Sequence, residues 1–256
     1  MSVANSQTSR AFPYQSFIPF YFNGLGISND ATTPNTKLDV ATGSCLDSTG
    51  TFQLTLSTAV VINAASNGLN GLDTGSLAAS TVYKVFVVAD PVTQQTTGAM
   101  ISASATPLLP YGYSAYALIG YVTTDASSHF LAGYWSDNDS ARRTFTYDAP
   151  IIALSGGTQT GYTGVALTAF VPPVANTSVS MYMLFAANAA GNTANLQGYN
   201  STGDAVTVIA PTATGTANTT ANVNVLAQLN TAAPSIKYKV AAGALSLYVN
   251  GYTFDL

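Results

Sequence analysis

The chain has 256 residues, of which 47% are hydrophobic and only 7% are charged, with a net charge of −4. This much apolar and aromatic content argues against disorder, and no apolar run reaches the roughly 18 residues that a membrane-spanning helix needs. All eleven acidic residues are Asp; the lack of Glu argues against a helical layer, and the lack of a basic cluster argues against nucleic-acid binding.

The first 26 residues differ from the rest and predict an extended arm. Pro13 and Pro19 oppose both a helix and a central strand, and rings left in water would forgo about 25 cal/mol per Å² of apolar surface. We expect this arm to dock onto a partner, in a groove between subunits or on a larger particle; packing on its own domain is the alternative. The aromatic residues of the docking arm are Phe12, Tyr14, Phe17, Phe20, Tyr21 and Phe22.

From about Leu38, apolar and polar residues alternate, which predicts half-buried strands. Phe52, Leu54 and Leu56 are expected to point inward. An Asn- and Gly-rich loop at 63–81 is long enough to be functional, mobile or partly helical. Further strands are predicted at 82–89, 115–122, 128–135 and 143–148, and then at 165–171, 178–186, 205–210, 222–229, 235–241 and 244–255.

Short strands separated by turns indicate an all-β fold of the sandwich or barrel type. Tyr147-Asp148-Ala149-Pro150 is typical of a boundary. We therefore predict two β-sandwich or jelly-roll-like domains in series, at 27–148 and 149–256, preceded by the extended arm at 1–26.

The dipeptide Gly-Tyr occurs six times at irregular spacing, which excludes a regular repeat. We expect each copy to mark a strand end or a bulge, where Gly allows the bend and Tyr covers it. The tyrosines are Tyr113, Tyr121, Tyr134, Tyr162, Tyr199 and Tyr252.

Catalytic residue types are scarce. His129 is the only histidine and Cys45 the only thiol, so a Ser-His-Asp or Cys-His site is possible only around His129. A surface or inter-subunit histidine is the favoured interpretation, and a zinc site lacks ligands. The glycines at 24 and 26 lack the third glycine of a dinucleotide loop. We expect no enzymatic activity and no cofactor.

Asp137 and Asp139 are the closest pair of carboxylates in the sequence. The favoured interpretation is a solvated turn. A cation site that uses Asn138 and carbonyl oxygens and a glycosidase-type carboxylate pair are the alternatives, and chelation with EDTA would separate the first two.

One ordered series of motifs carries a family resemblance. It comprises NDATTP (29–34), DVATGSCLDS (39–48), GLDTG (71–75), YKVF (83–86), PYGY (110–113) and IGYV (119–122). This series resembles a module of tail-fibre and virion-associated proteins of tailed bacteriophages. The C-terminal segment 235–256 is similar to the closing strands of the same proteins, although Leu256 stands where they usually end in arginine.

The resemblance implies a structural virion protein of the tail fibre, an appendage or a decoration, assembled in the cytoplasm of the host bacterium. Because few charged residues are available to keep monomers apart in solution, we expect a homotrimer. We also expect it to contact other phage virion proteins. The alternative is a receptor- or carbohydrate-binding tip protein that contacts a host cell-surface glycan, which predicts a cluster of exposed Tyr or Trp in the second domain. A depolymerase or esterase fragment is a third hypothesis.

Overall fold

The computed structural model describes residues 22–90, 97–136, 142–174, 177–198, 202–204, 206–209, 218–226, 229–230 and 233–255. All the regular secondary structure in these ranges consists of β-strands, so the predicted all-β class is confirmed. The strands are β1 (Phe22–Gly24), β2 (Ile27–Asn29), β3 (Lys37–Val40), β4 (Gly43–Leu46), β5 (Gln53–Leu56), β6 (Val60–Asn67), β7 (Gly71–Leu72), β8 (Val82–Ala89), β9 (Gly98–Ser102), β10 (Ala115–Thr123), β11 (Gly133–Ser136), β12 (Arg142–Gly157), β13 (Thr163–Ala166), β14 (Ser178–Ala186), β15 (Thr193–Gly198), β16 (Val206–Ile209), β17 (Asn218–Leu226), β18 (Leu229–Asn230), β19 (Ala233–Val240) and β20 (Ala244–Asp255).

The pattern of apolar and polar residues predicted the exact bounds of several strands. β8 and β14 have the predicted bounds, and so does β20. In β14 every second side chain is buried, from Val179 to Phe185, as expected for a strand with one face on the core. A two-residue period of burial therefore marks the positions of strands wherever no turn interrupts them.

Three predicted segments are corrected by local turns. The segment 128–135 is a strand only from Gly133, and 165–171 is a strand only up to Ala166. Phe52 was expected inside but is 43% exposed, because β5 begins one residue later. The 63–81 loop contains no helix; β6 extends to Asn67, and the loop pairs back through β7.

The main sheet has the strand order β10-β8-β9-β7-β6-β3-β2-β11-β12-β20-β14-β17. It curls, so that β10 at one end packs against the middle strands. The rings of Tyr121 in β10 and Phe254 in β20 meet edge to face at 5.1 Å, and the Tyr252 hydroxyl donates to the Tyr121 carbonyl at 3.4 Å. The buried apolar residues of this region form the largest part of the core.

Two smaller sheets complete the fold. The order β1-β4-β5 forms one, and β13-β19-β15-β16 forms the other, with β18 paired to β19. Buried side chains of β19 and β15, including Ile236 and Leu196, belong to the same apolar cluster as those of β14 and β20. One core therefore continues from the first half of the chain into the second.

The predicted division at 148/149 falls inside β12. This strand pairs with β11 through Thr144–Tyr147 and with β20 along both of its halves. Its pairing register with β20 shifts between Thr146 and Ile151, the stretch that contains Pro150. The main sheet is continuous across this point, and the separation into two domains stays a prediction.

Gly120-Tyr121, Gly133-Tyr134 and Gly251-Tyr252 lie at strand ends or bulges, as predicted, whereas Gly112-Tyr113 and Gly161-Tyr162 lie in turns ahead of β10 and β13. Gly120 and Gly251 sit at register shifts in β10 and β20. A Cβ on Gly251 would lie 2.2 Å from the carbonyl oxygen of Phe145, so only glycine fits at this close approach of two strands. Tyr199 lies outside the described residues.

Candidate functional site

The structure places His129 in an exposed turn and Cys45 in the core. The N–H groups of Ser127 and His129 donate to Asp125 Oδ1 at 2.7 and 2.9 Å. The pKa of Asp125 is lowered, and the hydrogen bond from the His129 N–H is the main cause. The His129 Nδ1 atom lies 3.7 Å from Asp125 Oδ2 in an exposed turn. Cys45 is buried, and burial raises the pKa of its thiol to about 12, so it is no thiolate nucleophile at neutral pH.

In the part of the chain that the structure describes, no group of three or more His, Cys, Asp or Glu side chains could hold a metal ion. Asp137 and Asp139 lie outside this part, so the choice between a turn and a cation site stays a prediction. The described residues also contain no helix that is long and apolar enough to span a membrane.

The arm meets the fold at Phe22. Its ring lies 4.5 Å from the guanidinium of Arg143, a fully buried side chain whose Nη2 donates to the Leu25 carbonyl at 3.2 Å. Burial lowers the pKa of Arg143 to about 10, which still leaves the group charged at neutral pH. The other arm residues, Phe12, Tyr14, Phe17, Phe20 and Tyr21, lie outside the described residues, and their docking role stays a prediction.

A row of outward side chains crosses the main sheet on β11, β2, β3 and β6. Tyr134 lies opposite Ser28, Ser28 opposite Asp39, and Asp39 opposite Val61. Neighbouring strands are about 4.8 Å apart, so roughly 10 Å separate Tyr134 from Asp39 along the row. We call this surface the groove face.

The groove face is concave because its next row carries small residues. Gly26, Ala41 and Ala59 are each two positions from a member of the first row and therefore face the same way. Together with the taller side chains of Tyr134 and Val61 they line a groove of about 480 Å³. This volume is within the range of roughly 300–1,000 Å³ that is common for small-ligand sites.

Asp39 supplies the charge of the groove face. Its carboxylate accepts no hydrogen bond from the described residues, and burial, reinforced by the negative charge of Asp30, raises its pKa. Asp39 is the one charged side chain among the described residues that line the groove. The groove thus offers an acceptor to which no described residue donates.

Trp135 lies directly beneath the groove face. Its side chain points inward and packs against Phe145 at a centroid distance of 5.0 Å, while its neighbour Tyr134 is 54% exposed. Tyr134 also lies opposite Thr146 of β12, so paired strands hold it on both sides. The exposed ring therefore stands on a rigid, well-packed support.

A second surface covers the outward sides of β12, β20 and β14. Ile152 lies opposite Tyr248, and Tyr248 lies opposite Tyr182, with the two tyrosine rings 5.7 Å apart. Ile152 is 55% exposed. The adjoining outward pairs are Leu184 with Ser246 and Ala186 with Ala244. None of these side chains is charged, and we call this surface the neutral face.

Adhesion through the second domain predicts a cluster of exposed Tyr or Trp there, but the described exposed tyrosines lie elsewhere. Among the described residues, the exposed large rings of tyrosine are Tyr111 and Tyr134, both before residue 148. Tyr162, Tyr182 and Tyr248 in the second half are half-buried. Sequence reasoning missed the groove face, because only the strand pairing brings Asp39 and Tyr134 onto one surface.

Comparison with known proteins gives little guidance. Neither a protein-family model nor a curated protein matches the chain. A carbohydrate-binding module (CBM6cm-2) of Cellvibrio mixtus lichenase 5A, solved with cellotriose, is 18% identical over 49% of this chain and 86% of its own, with a TM-score of 0.21.

Two further solved structures span more of the chain. The VP2 subviral particle of infectious bursal disease virus is 14% identical over 91% of this chain and 69% of its own, with a TM-score of 0.20. An exo-beta-1,3-galactanase from Phanerochaete chrysosporium is 14% identical over 89% and 68%, with a TM-score of 0.21. Similarity this low carries no argument about function.

Proposed function

We propose that this chain is a non-enzymatic structural protein of a bacteriophage particle, a tail-fibre, appendage or decoration protein that self-associates as a homotrimer. In this proposal it attaches to other virion proteins through its N-terminal arm and belongs to the virion, after assembly in the host cytoplasm. The order of motifs described above supports the phage context, and the neutral face supports self-association.

The neutral face is the observation that carries the proposal. A second copy of the same chain is its natural occupant, because two uncharged faces meet without like-charge repulsion and without the cost of desolvating an ion. Half-exposed Tyr side chains beside Ile152 are the residue types enriched at the centres of interfaces.

Association through faces is favoured over association through sheet edges. Beyond Tyr147, β12 has β20 on one side, and no described strand pairs with its other side. This edge carries Pro150 and three register shifts, features that hinder pairing with the edge of another sheet. This edge of β12 is therefore protected against strand addition, while the neutral face remains available.

The arm is tested by deleting residues 1–21. Phe22 is retained because it packs on Arg143, so the variant is expected to fold with an unchanged melting temperature and an unchanged oligomeric mass. It is expected to be absent from purified particles, as measured by immunoblotting and electron microscopy. A full-length Tyr111→Ala variant, altered at an exposed ring elsewhere, is the matched control and should be incorporated normally.

Incorporation of the truncated chain at the wild-type level would overturn the anchoring function of the arm. Failure of the truncated chain to fold would show that residues 1–21 belong to the core instead.

Adhesion to a host glycan is the second candidate function. The specific observation in its favour is the exposed ring of Tyr134 in the same groove as the carboxylate of Asp39. In this version the protein is a receptor-binding tip whose recognition surface lies in the first half of the chain.

A further inference from the structure

We propose that the groove face is a binding site for a neutral pyranose sugar, with Tyr134 as the stacking platform and Asp39 and Ser28 as the hydrogen-bonding groups. The proposal deepens the second candidate function, on which it rests, by naming its site and ligand class. It is independent of self-association through the neutral face.

The stacking step follows from the position of Tyr134. Its side chain is 54% exposed although it lies in the middle of a paired sheet. A pyranose has one apolar face of C–H groups, and an exposed aromatic ring buries that face while its own hydroxyl stays wet. Because paired strands hold Tyr134 on both sides, little conformational entropy is lost on binding.

The polar step follows from the row of side chains. Ser28 is opposite Tyr134 and Asp39 is opposite Ser28, so the hydroxyls of a stacked sugar would extend over both. A carboxylate accepts hydrogen bonds from two neighbouring hydroxyls, and charge-assisted bonds of this kind are roughly twice as strong as neutral ones. Among the described residues, none donates a hydrogen bond to either oxygen of Asp39.

The groove also selects against other small ligands. With Asp39 as the one charge among its described lining residues, it repels phosphate, sulfate and acidic sugars. The small side chains of Gly26, Ala41 and Ala59 leave room for a ring and its hydroxymethyl group at the floor. A shallow groove with one aromatic ring suits a weak, repeatable contact, which several copies in an oligomer would strengthen by avidity.

The test uses the full chain and neutral oligosaccharides of glucose, galactose, mannose and N-acetylglucosamine as probes. Binding is followed by saturation-transfer NMR on the sugar and by the fluorescence of Trp135, the single tryptophan, which lies under the groove. At least one probe is expected to bind, with an affinity that falls at least about tenfold in Tyr134→Ala and stays within about threefold in Tyr134→Phe.

Two further variants sharpen the assignment. Asp39→Asn is expected to weaken binding about five- to tenfold, because it removes the charge but keeps an acceptor. Tyr111→Ala removes an equally exposed ring away from the groove and should change nothing. All variants are compared by circular dichroism and melting temperature, and Tyr134 is exposed enough for its replacement to leave both unchanged.

The proposal is overturned if no probe binds at about 10 mM, a concentration that reaches even the weak end of specific affinities, or if binding survives Tyr134→Ala. Either result leaves the oligomeric mass of the same samples intact, so a failure of sugar binding is distinguishable from a failure of self-association. Binding of a protein receptor to the groove face in the absence of any sugar binding would also count against it.

Discussion

The groove face and the neutral face belong to the same curved sheet but have opposite characters. The groove face places one exposed ring and one carboxylate, Tyr134 and Asp39, around a floor of Gly and Ala. The neutral face pairs its rings, Tyr182 on Tyr248, and carries no charge among the side chains described for it. Concavity with an unused acceptor suits a small polar ligand, whereas an uncharged face with paired rings suits a second protein surface.

The largest expected effect is the loss of self-association when charge is placed on the neutral face. Ile152→Lys combined with Tyr248→Lys places two ammonium groups in the proposed interface, where unpaired buried charges cost several kcal/mol. We expect self-association to weaken at least about 100-fold, measured by sedimentation over a range of concentrations.

Tyr134→Lys is the control, because it places an ammonium group on the groove face and none on the neutral face. It should leave the oligomeric mass unchanged while it abolishes sugar binding. If both variants dissociate the oligomer, or if neither does, the assignment of self-association to the neutral face and sugar binding to the groove face is wrong.

A smaller effect separates Asp47, whose carboxylate accepts several hydrogen bonds, from Asp39, to which no described residue donates. Asp47 is 7% exposed; its Oδ1 accepts the N–H groups of Thr51 and Phe52, and its Oδ2 accepts the Thr49 hydroxyl. Burial alone would raise its pKa, but these hydrogen bonds outweigh burial and lower it below the ordinary value of 3.8. Asp47→Ala is expected to cost about 1–3 kcal/mol of unfolding free energy in urea melts at pH 7.

The pH dependence follows from the lowered pKa of Asp47. The stabilising contribution is complete above the unfolded-state pKa near 3.8 and is lost as the pH falls through the folded-state value, so the difference between Asp47→Ala and the wild type should narrow below that pH. A difference that stays constant into acid would show that packing, and not the ionised carboxylate, stabilises this turn.

Asp39→Asn is the control, because its expected effect on stability at pH 7 is opposite to that of Asp47→Ala. The folded-state pKa of Asp39 is raised by burial and by Asp30, so its ionisation costs stability as the pH rises through the interval between the unfolded and folded values. The Asn variant is therefore expected to be more stable at pH 7, by less than about 1 kcal/mol because the side chain is partly exposed, and unchanged in acid. A loss of stability at pH 7 would give Asp39 a structural purpose and weaken the sugar proposal.

The sequence predicted the strands best where one face is buried and turns are absent. β14 and β20 follow from alternation, because the period of two reports burial directly, whereas β8 is an apolar run whose last five residues are all buried. The turn at Asp125–His129 was missed, because the bonds from Ser127 and His129 to the Asp125 carboxylate replace strand pairing there. The segment after Ala166 likewise leaves the strand as Phe170 and Val171 donate to the Leu167 carbonyl ahead of two prolines.

The candidate sites were harder to predict than the strands, for a topological reason. Tyr134 and Asp39 are far apart in the sequence, and they become neighbours only because β2 pairs with both β3 and β11. Alternation gives the face on which a residue lies but not the order of strands across the sheet. The sequence therefore predicted abundant tyrosine for recognition without showing which tyrosines meet a carboxylate.

Sedimentation of the unmodified chain tests the central claim most directly. Our account predicts a stable species of three times the 26.3 kDa of one chain at micromolar concentration, converted to smaller species by the two lysines on the neutral face. A dimer that the same lysines dissociate would retain the interface and overturn only the trimer. A lone 26.3 kDa species at all concentrations would contradict the proposal that this chain is a self-associating structural protein.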